Sequence, residues 1–97
     1  KIILPYVPDY ANPVWHIFGI DAKKRTELEE FLNNKGIVTN KHYPIPIHLQ
    51  ECYKNLEFQK GSYPIAEEIS NTELSIPMYY GMTDDEVTYV VETINKF

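Results

Sequence analysis

Cysteine is nearly absent from the sequence, since Cys52 is the only one among 97 residues. One thiol cannot form an internal disulfide, which excludes a disulfide-stapled domain and fits a reducing, cytoplasmic compartment. We expect Cys52 to be a half-buried packing residue rather than a nucleophile.

Basic charge, long apolar runs and clustered glycines are also scarce. The net charge of −5 disfavours nucleic acid as a partner, because an acidic surface repels phosphates. No run approaches the roughly 20 apolar residues of a membrane span, so we expect no membrane partner and no signal peptide. The 4 glycines are scattered, which excludes a glycine-rich phosphate loop. The 3 histidines have no paired carboxylates at a metal-site spacing, so we expect no metal.

The remaining composition is that of a globular protein, with 43% hydrophobic and 24% charged residues. This length favours a single domain over residues 1–97 with one modest core. The chain begins at Lys1 rather than Met, and we expect it to be a piece of a longer protein.

Hydrophobic patterning predicts an α+β domain: a small three-stranded, mainly antiparallel sheet with helices packed on it. Three prolines make residues 1–13 an extended lead-in. The predicted elements are strands near 15–20, 37–42 and 73–77, long helices near 24–35 and 84–96, and short helices within 49–56 and after Pro64.

The two long helices carry end signals. The first has two candidate starts, a cap at Asp21 or a capping box from Thr26 to Glu29, and Gly36 fits its left-handed end. Thr83 and Glu86 have the spacing of a capping box for the last helix. We predict that the core includes Leu28, Phe31, Leu32, Val87, Val90 and Val91. Val91→Ala is then expected to cost about 1–3 kcal/mol.

The segment His42-Tyr43-Pro44-Ile45-Pro46-Ile47-His48 places polar side chains on a stiff backbone. A stiff segment orients polar groups at low entropic cost, and imidazole and phenol can donate hydrogen bonds to phosphate or sugar oxygens. Composition alone leaves two interpretations open, a binding site and a rigid surface connector, and it favours the connector. His16, in the apolar run VWHIFGI, is expected to be a hydrogen-bonded core residue.

Two stretches, GIVTNKHYPIPIHLQ and LSIPMYYGMT, carry a family resemblance in their order and spacing. From about Val14 to Ile94 the chain resembles the C-terminal small domain of the DegT/StrS-type nucleotide-sugar aminotransferases, which belong to the fold-type I aspartate aminotransferase superfamily. The resemblance implies a homodimer that uses pyridoxal phosphate to transfer an amino group to a nucleotide-linked keto sugar. The donor is an amino acid, commonly glutamate, and the products serve surface polysaccharide or deoxyamino-sugar biosynthesis.

The resemblance also implies a division of roles within the parent enzyme. The lysine that holds the cofactor sits in the family's large N-terminal domain, and nothing here matches its motif. We therefore expect no catalytic or cofactor-binding residue in this chain, and no activity from the chain alone. The family's His-Tyr pair lies near the active-site mouth and helps to hold the substrate diphosphate, which implies substrate-binding roles for His42 and Tyr43. We expect these on an open face with some of Trp15, Tyr43, Tyr79 and Tyr80 exposed.

Two other functions stay open. One is a stand-alone, non-catalytic binding or regulatory module with the same fold. The other is an unrelated small α+β enzyme that uses His42, Tyr43 and His48. An aminotransferase gene should carry roughly 250–300 further codons upstream, more than one further domain.

Overall fold

A three-stranded antiparallel sheet forms the centre of the fold, in a computed structural model that describes Lys1–Phe97. Its strands are β1 (Ile2–Ile3), β2 (Phe18–Ala22) and β3 (Glu73–Ile76), in the order β1-β2-β3. The central strand β2 pairs Ile20 with Leu74 of β3 and Ala22 with Ile2 of β1. The predicted α+β architecture is therefore confirmed.

Three α-helices surround this sheet. They are α1 (Arg25–Asn33), α2 (Pro64–Thr72) and α3 (Asp84–Ile94), with 3₁₀ turns at Ile47–Leu49 and Glu51–Leu56. The predicted capping box starts α3, since the Thr83 N–H donates to Glu86 Oε2 at 2.8 Å and the Glu86 N–H donates to Thr83 Oγ1 at 3.3 Å. The hydrogen bonds that the Glu86 carboxylate accepts, from the Thr83 N–H first and then from the Tyr79 and Thr83 hydroxyls, hold the pKa of this carboxyl below its usual value. None of the helices is both long and apolar enough to cross a membrane.

The end of α1 follows the prediction, but its start does not. Gly36 adopts the left-handed conformation, with φ of 76°, just past the helix. Lys24 occupies the N-cap position without a side-chain cap. Asp21 cannot cap the helix because it lies within β2, and Thr26 already lies inside the first turn.

One face of the sheet, together with α1 and α3, encloses the core. Side chains alternate along β2, so Ile20 and Ala22 are buried on this face. The buried apolar cluster comprises Ile20, Ala22, Leu28, Leu32, Ile37, Leu74 and Val90. Phe31 is partly buried and packs against that cluster, as predicted.

The prediction for α3 was wrong about which of its valines are buried. Val90 is 6% exposed, whereas Val87 is 45% and Val91 is 50% exposed. The helix packs through Val90 and Thr93, so Val87 and Val91 form the neighbouring stripe of its surface. Regular spacing identifies an apolar helix face but does not fix its rotation against the sheet.

This rotation changes the expected effect of truncating each valine. In the isolated chain, Val90→Ala should lower the free energy of unfolding by about 1–3 kcal/mol, because it removes two buried methyl groups. Val91→Ala should change it by no more than about 0.5 kcal/mol, since the side chain is half exposed. Urea denaturation of both variants checks this, and a larger loss for Val91→Ala would show that α3 is rotated differently.

The predicted strand at 37–42 does not form. A single bridge between Asn40 and Ser75 replaces it, with backbone hydrogen bonds of 2.8 and 3.0 Å. The chain leaves the sheet edge there because the next N–H groups have side-chain partners. The Lys41 N–H donates to Asn40 Oδ1, and the His42 N–H donates to Glu73 Oε2, both at 2.8 Å.

The first predicted strand, 15–20, is displaced to 18–22. Residues before Phe18 have no strand to pair with, because β3 ends at Ile76, directly opposite Phe18. His16 is consequently exposed and outside the strand, which contradicts its expected place in the core. Cys52 is also exposed rather than half buried, since it lies on a 3₁₀ turn outside the core.

Candidate functional site

The His42–Tyr43 pair lies where the chain leaves the edge of β3 and enters the 3₁₀ turns. The two rings stand edge to face, with centroids 5.3 Å apart, and the peptide bond between them is cis. His42 is half buried, whereas Tyr43 is 67% exposed. The structure thus places an anchored imidazole beside an exposed phenol.

An apolar groove of about 680 Å³ opens on one side of this pair. It lies between the 3₁₀ turns and α2. The residues lining the apolar groove are His42, Tyr43, Ile45, Pro46, Ile47, His48, Gln50, Tyr53, Leu56, Phe58, Tyr63, Ala66, Ile69 and Ser70. Several of its aromatic side chains are exposed, so the groove offers flat apolar surface next to the polar pair.

A second cavity of about 390 Å³, the polar cleft, lies on the other side of His42. It runs from the segment before β2 to the end of β3, and its polar side chains are His16, Thr39, Asn40, His42 and Ser75. Thr39 Oγ1 is buried without a hydrogen-bond partner. His42 is the only residue that lines both the apolar groove and the polar cleft.

The aromatic side chains that were expected to be exposed are so, whereas His42 is half buried. Trp15, Tyr43, Tyr79 and Tyr80 are all exposed, Tyr80 completely. Exposed aromatic surface of this kind is typical of protein interaction sites and ligand grooves.

Three residues, Asn40, Glu73 and Ser75, form a hydrogen-bond network around the His42 ring. Nδ1 lies 2.8 Å from Ser75 Oγ, and Nε2 lies 3.3 Å from Asn40 Nδ2. The Ser75 hydroxyl donates to Glu73 Oε1, and Glu73 Oε2 accepts the His42 backbone N–H. The Glu73 carboxylate therefore holds His42 in two ways, directly at its backbone N–H and through Ser75 at its ring.

His48 lies in a second cluster and takes no part in this network. Its Nε2 is 2.9 Å from Glu67 Oε1, with the two side chains 7% and 12% exposed. The same oxygen accepts the Gly61 N–H at 2.7 Å and the Tyr63 N–H at 3.5 Å. The hydrogen bond with His48 is the main cause that lowers the pKa of the Glu67 carboxyl. Through Glu67, this cluster anchors the segment before α2 to that helix. His48 therefore makes a structural contact and is not free for catalysis.

The lowered pKa of Glu67 makes this fastening sensitive to acid. The contact is fully present above the unfolded carboxyl's pKa of about 4.3 and is lost as the pH falls through the lower folded pKa. We expect hydrogen-exchange protection of the Gly61 and Tyr63 amides, corrected for intrinsic rates, to fall over this range. Glu67→Ala should not show this pH-dependent fall in protection. Glu51→Ala, which removes an exposed surface pair with Lys54, should still show it. Protection independent of pH in the unsubstituted chain would refute the fastening role.

Pyridoxal phosphate held as a Schiff base requires a lysine amine inside a pocket. No lysine lines the apolar groove, the polar cleft or the two other main cavities. Lys41 instead pairs with Glu29 at 2.6 Å, and Lys54 with Glu51 at 2.9 Å. The residues of this chain therefore do not fit the cofactor by themselves.

Comparison with known proteins identifies the family. Residues 2–95 match the DegT/DnrJ/EryC1/StrS aminotransferase family. The chain belongs to this family. Membership excludes the interpretation as an unrelated small α+β enzyme and confirms the resemblance seen in the sequence.

Relatives show the same family over nearly the whole chain. It is 40% identical over 96 residues to the dTDP-3-amino-3,6-dideoxy-alpha-D-galactopyranose transaminase of Aneurinibacillus thermoaerophilus. It is 38% identical over 96 residues to the "pleiotropic regulatory protein" of Geobacillus stearothermophilus. Both alignments cover 99% of this chain but only 26% of the relative. The chain thus spans about a quarter of the length of these family members.

A solved structure shows that the fold is shared as well. The structure of S. venezuelae DesV, in complex with a ketimine intermediate, superposes with a TM-score of 0.93 at 33% identity. The superposition covers 98% of this chain and 26% of that protein. The fold is therefore that of a segment of the fold-type I aminotransferases.

Sequence reasoning singled out His42 and Tyr43 but missed the residues around the imidazole. Glu73 and Ser75 lie two apart on β3, so they share one face of the sheet. That alternation was visible in the sequence ELSI. The contact with His42 spans 33 residues, however, and only the fold brings the two segments together.

Proposed function

We propose that this chain is the C-terminal small domain of a cytoplasmic, pyridoxal-phosphate-dependent aminotransferase. The enzyme transfers an amino group from an amino acid, with glutamate as the expected donor, to a nucleotide-linked keto sugar. Its products serve surface polysaccharide or deoxyamino-sugar biosynthesis. Family membership over residues 2–95 and the 26% coverage of the relatives support this proposal.

In this proposal, the cofactor is bound by the part of the enzyme that lies outside residues 1–97. The reason is that no lysine lines any of the four main cavities of this chain. The cofactor supplies the electron sink for amino transfer. This chain contributes side chains that bind and orient the sugar substrate.

The observation that carries the substrate assignment is the position of His42 between the two cavities, with Tyr43 beside it in the apolar groove. A nucleotide sugar joins a flat base to a polar sugar and a diphosphate. The apolar groove offers aromatic surface for a flat ring, and the adjoining polar cleft offers hydrogen-bond partners. The exposed Tyr43 hydroxyl can donate to a diphosphate oxygen, and the His42 ring can contact the sugar.

We propose that the parent enzyme is a homodimer, as the resemblance implies. Exposed apolar side chains in the groove and on α3, including Val87 and Val91, support further contacts outside this chain. The resemblance to the pleiotropic regulatory protein keeps the non-catalytic module as the second candidate.

Half-reactions of the full-length protein separate these two candidates. Loaded with the cofactor, the protein should change its visible absorbance on addition of glutamate, and a dTDP-linked keto sugar should reverse that change. The same keto sugar without its nucleotide is the matched control and should react far more slowly, because it lacks the diphosphate. Binding of the nucleotide sugar without any spectral change would identify a non-catalytic module instead.

A further inference from the structure

We infer that Glu73, acting through Ser75, is a positioning residue that fixes both the orientation and the proton of the His42 imidazole. The inference rests on the proposed contact between His42 and the sugar substrate. It adds residues from β3 and β2, which lie outside the stiff segment 42–48, to the substrate site.

The hydrogen-bond network determines which ring nitrogen of neutral His42 carries the proton. The Asn40 amide is oriented by its oxygen, which accepts the Lys41 N–H at 2.8 Å. Its NH₂ group therefore faces His42 and donates to Nε2, which must be unprotonated to accept it. The proton consequently resides on Nδ1 and is donated to Ser75 Oγ at 2.8 Å.

Glu73 completes the network as its only charged member. The Ser75 hydroxyl accepts from His42 Nδ1 and so directs its own proton to Glu73 Oε1. The second carboxylate oxygen accepts the His42 backbone N–H at 2.8 Å. Ser75 is itself buried, with 6% exposure, so water cannot easily replace these bonds. One carboxylate thus fixes the backbone and the ring of the same residue.

Gly19 provides an independent observation for this role of Glu73. It lies in β2 directly opposite Ser75, in a strand interior where glycine is usually unfavourable. A Cβ at this position would lie 2.8 Å from Glu73 Oε1 and 3.3 Å from Glu73 Cγ. A side chain at this position would require the Glu73 carboxylate to shift from its place in the network. The missing side chain therefore leaves space for the carboxylate.

The network leaves Nε2 as the ring atom that can change partner. Its bond to Asn40 is 3.3 Å long, whereas the bond on the Nδ1 side is 2.8 Å. An incoming substrate therefore competes only with the weaker contact, while Ser75 and Glu73 hold the ring. Preorganisation of this kind lowers the entropic cost of binding.

Nitrogen-15 chemical shifts of the His42 ring test the inference without an activity measurement. The full-length protein is labelled with ¹⁵N-histidine and studied at about pH 8.5, well above the ordinary imidazole pKa of about 6.5. His42→Gln assigns the signal by its disappearance. We expect Nδ1 to be protonated in the unsubstituted protein. Glu73→Ala or Ser75→Ala should raise the share of the Nε2 tautomer, because only the longer contact from Asn40, at 3.3 Å, then opposes a proton on Nε2. A proton on Nε2 in the unsubstituted protein, or shifts unchanged in both variants, would overturn the inference.

The kinetic test separates positioning from a purely structural role. Glu73→Ala should lower kcat/KM for the nucleotide sugar about tenfold, the equivalent of one hydrogen bond, and leave the glutamate half-reaction unchanged. Glu68→Ala, which removes an exposed carboxylate on nearby α2, is the matched control and should have no effect. Equal losses in both half-reactions would show a structural role and contradict the inference.

A double-mutant cycle tests the role of Gly19. Gly19→Ala alone should reproduce the loss caused by Glu73→Ala, because it displaces the carboxylate. Added to Glu73→Ala it should cause little further loss, since the atoms it would strike are gone. Fully additive losses would contradict this role of Gly19.

If the ¹⁵N shifts respond as expected but His42→Gln leaves the sugar half-reaction unchanged, the positioning network stands and the proposed substrate role of His42 fails.

Discussion

The isolated 97-residue chain, mixed with pyridoxal phosphate, should show no visible absorption band from a lysine-bound cofactor and no turnover of a nucleotide-linked sugar. The reason is structural, because no lysine lines a main cavity of the chain. A cofactor aldehyde can react with exposed lysines at random, but such adducts are weak and do not saturate at one residue.

Borohydride reduction followed by peptide mass spectrometry makes this prediction decisive. Any reduced adducts should be spread at low occupancy over several surface lysines. The full-length protein under the same conditions is the positive control and should give one saturated lysine outside these residues. A single saturable adduct within the chain, at Lys41 for example, would show that the chain holds the cofactor after all.

Tyr43→Phe in the full-length enzyme should lower kcat/KM for the nucleotide sugar by about ten- to hundredfold, mainly by raising KM. The substitution removes one hydroxyl, and a hydrogen bond to a charged diphosphate contributes about 1.5–3 kcal/mol. The phenol is 67% exposed at the mouth of the apolar groove, so its loss should leave the core unchanged. Steady-state kinetics with the sugar as the varied substrate measures this effect.

The two half-reactions determine what the Tyr43 hydroxyl contacts. The glutamate half-reaction should hardly change, because glutamate has no diphosphate. Tyr80→Phe is the matched control, since Tyr80 is fully exposed and lines none of the main cavities. Equal losses of rate in both half-reactions would place Tyr43 at the cofactor. No loss in either would make Tyr43 a surface residue of a rigid connector, without a role in binding.

Local signals in the sequence predicted those parts of the fold that depend on neighbouring residues. The Thr83–Glu86 capping box and the left-handed Gly36 formed as expected, because both depend on contacts within a few residues. The predicted strand at 37–42 failed because side chains, and not a neighbouring strand, accept the N–H groups that follow Asn40. The N–H of His42 donates to Glu73, 31 residues away, and no local pattern encodes that contact.

The same limit applies to the candidate site. His42 and Tyr43 were found because a stiff segment and a family resemblance pointed to them. Glu73 and Ser75 were missed because their polar alternation on β3 gives no indication of the ring that they hold. Gly19 was missed for a similar reason, since the carboxylate that needs its space lies on another strand.

The central claim is that His42 and Tyr43 form part of the sugar-nucleotide site, and a crystal structure of the full-length protein with a bound nucleotide-linked sugar tests it most directly. We expect the Tyr43 hydroxyl within about 2.5–3.0 Å of a diphosphate oxygen, the ordinary range for such a hydrogen bond. The His42 ring should contact the sugar while Nδ1 still donates to Ser75. A substrate seated in the cofactor-bearing active site with both side chains out of reach of it would contradict the claim.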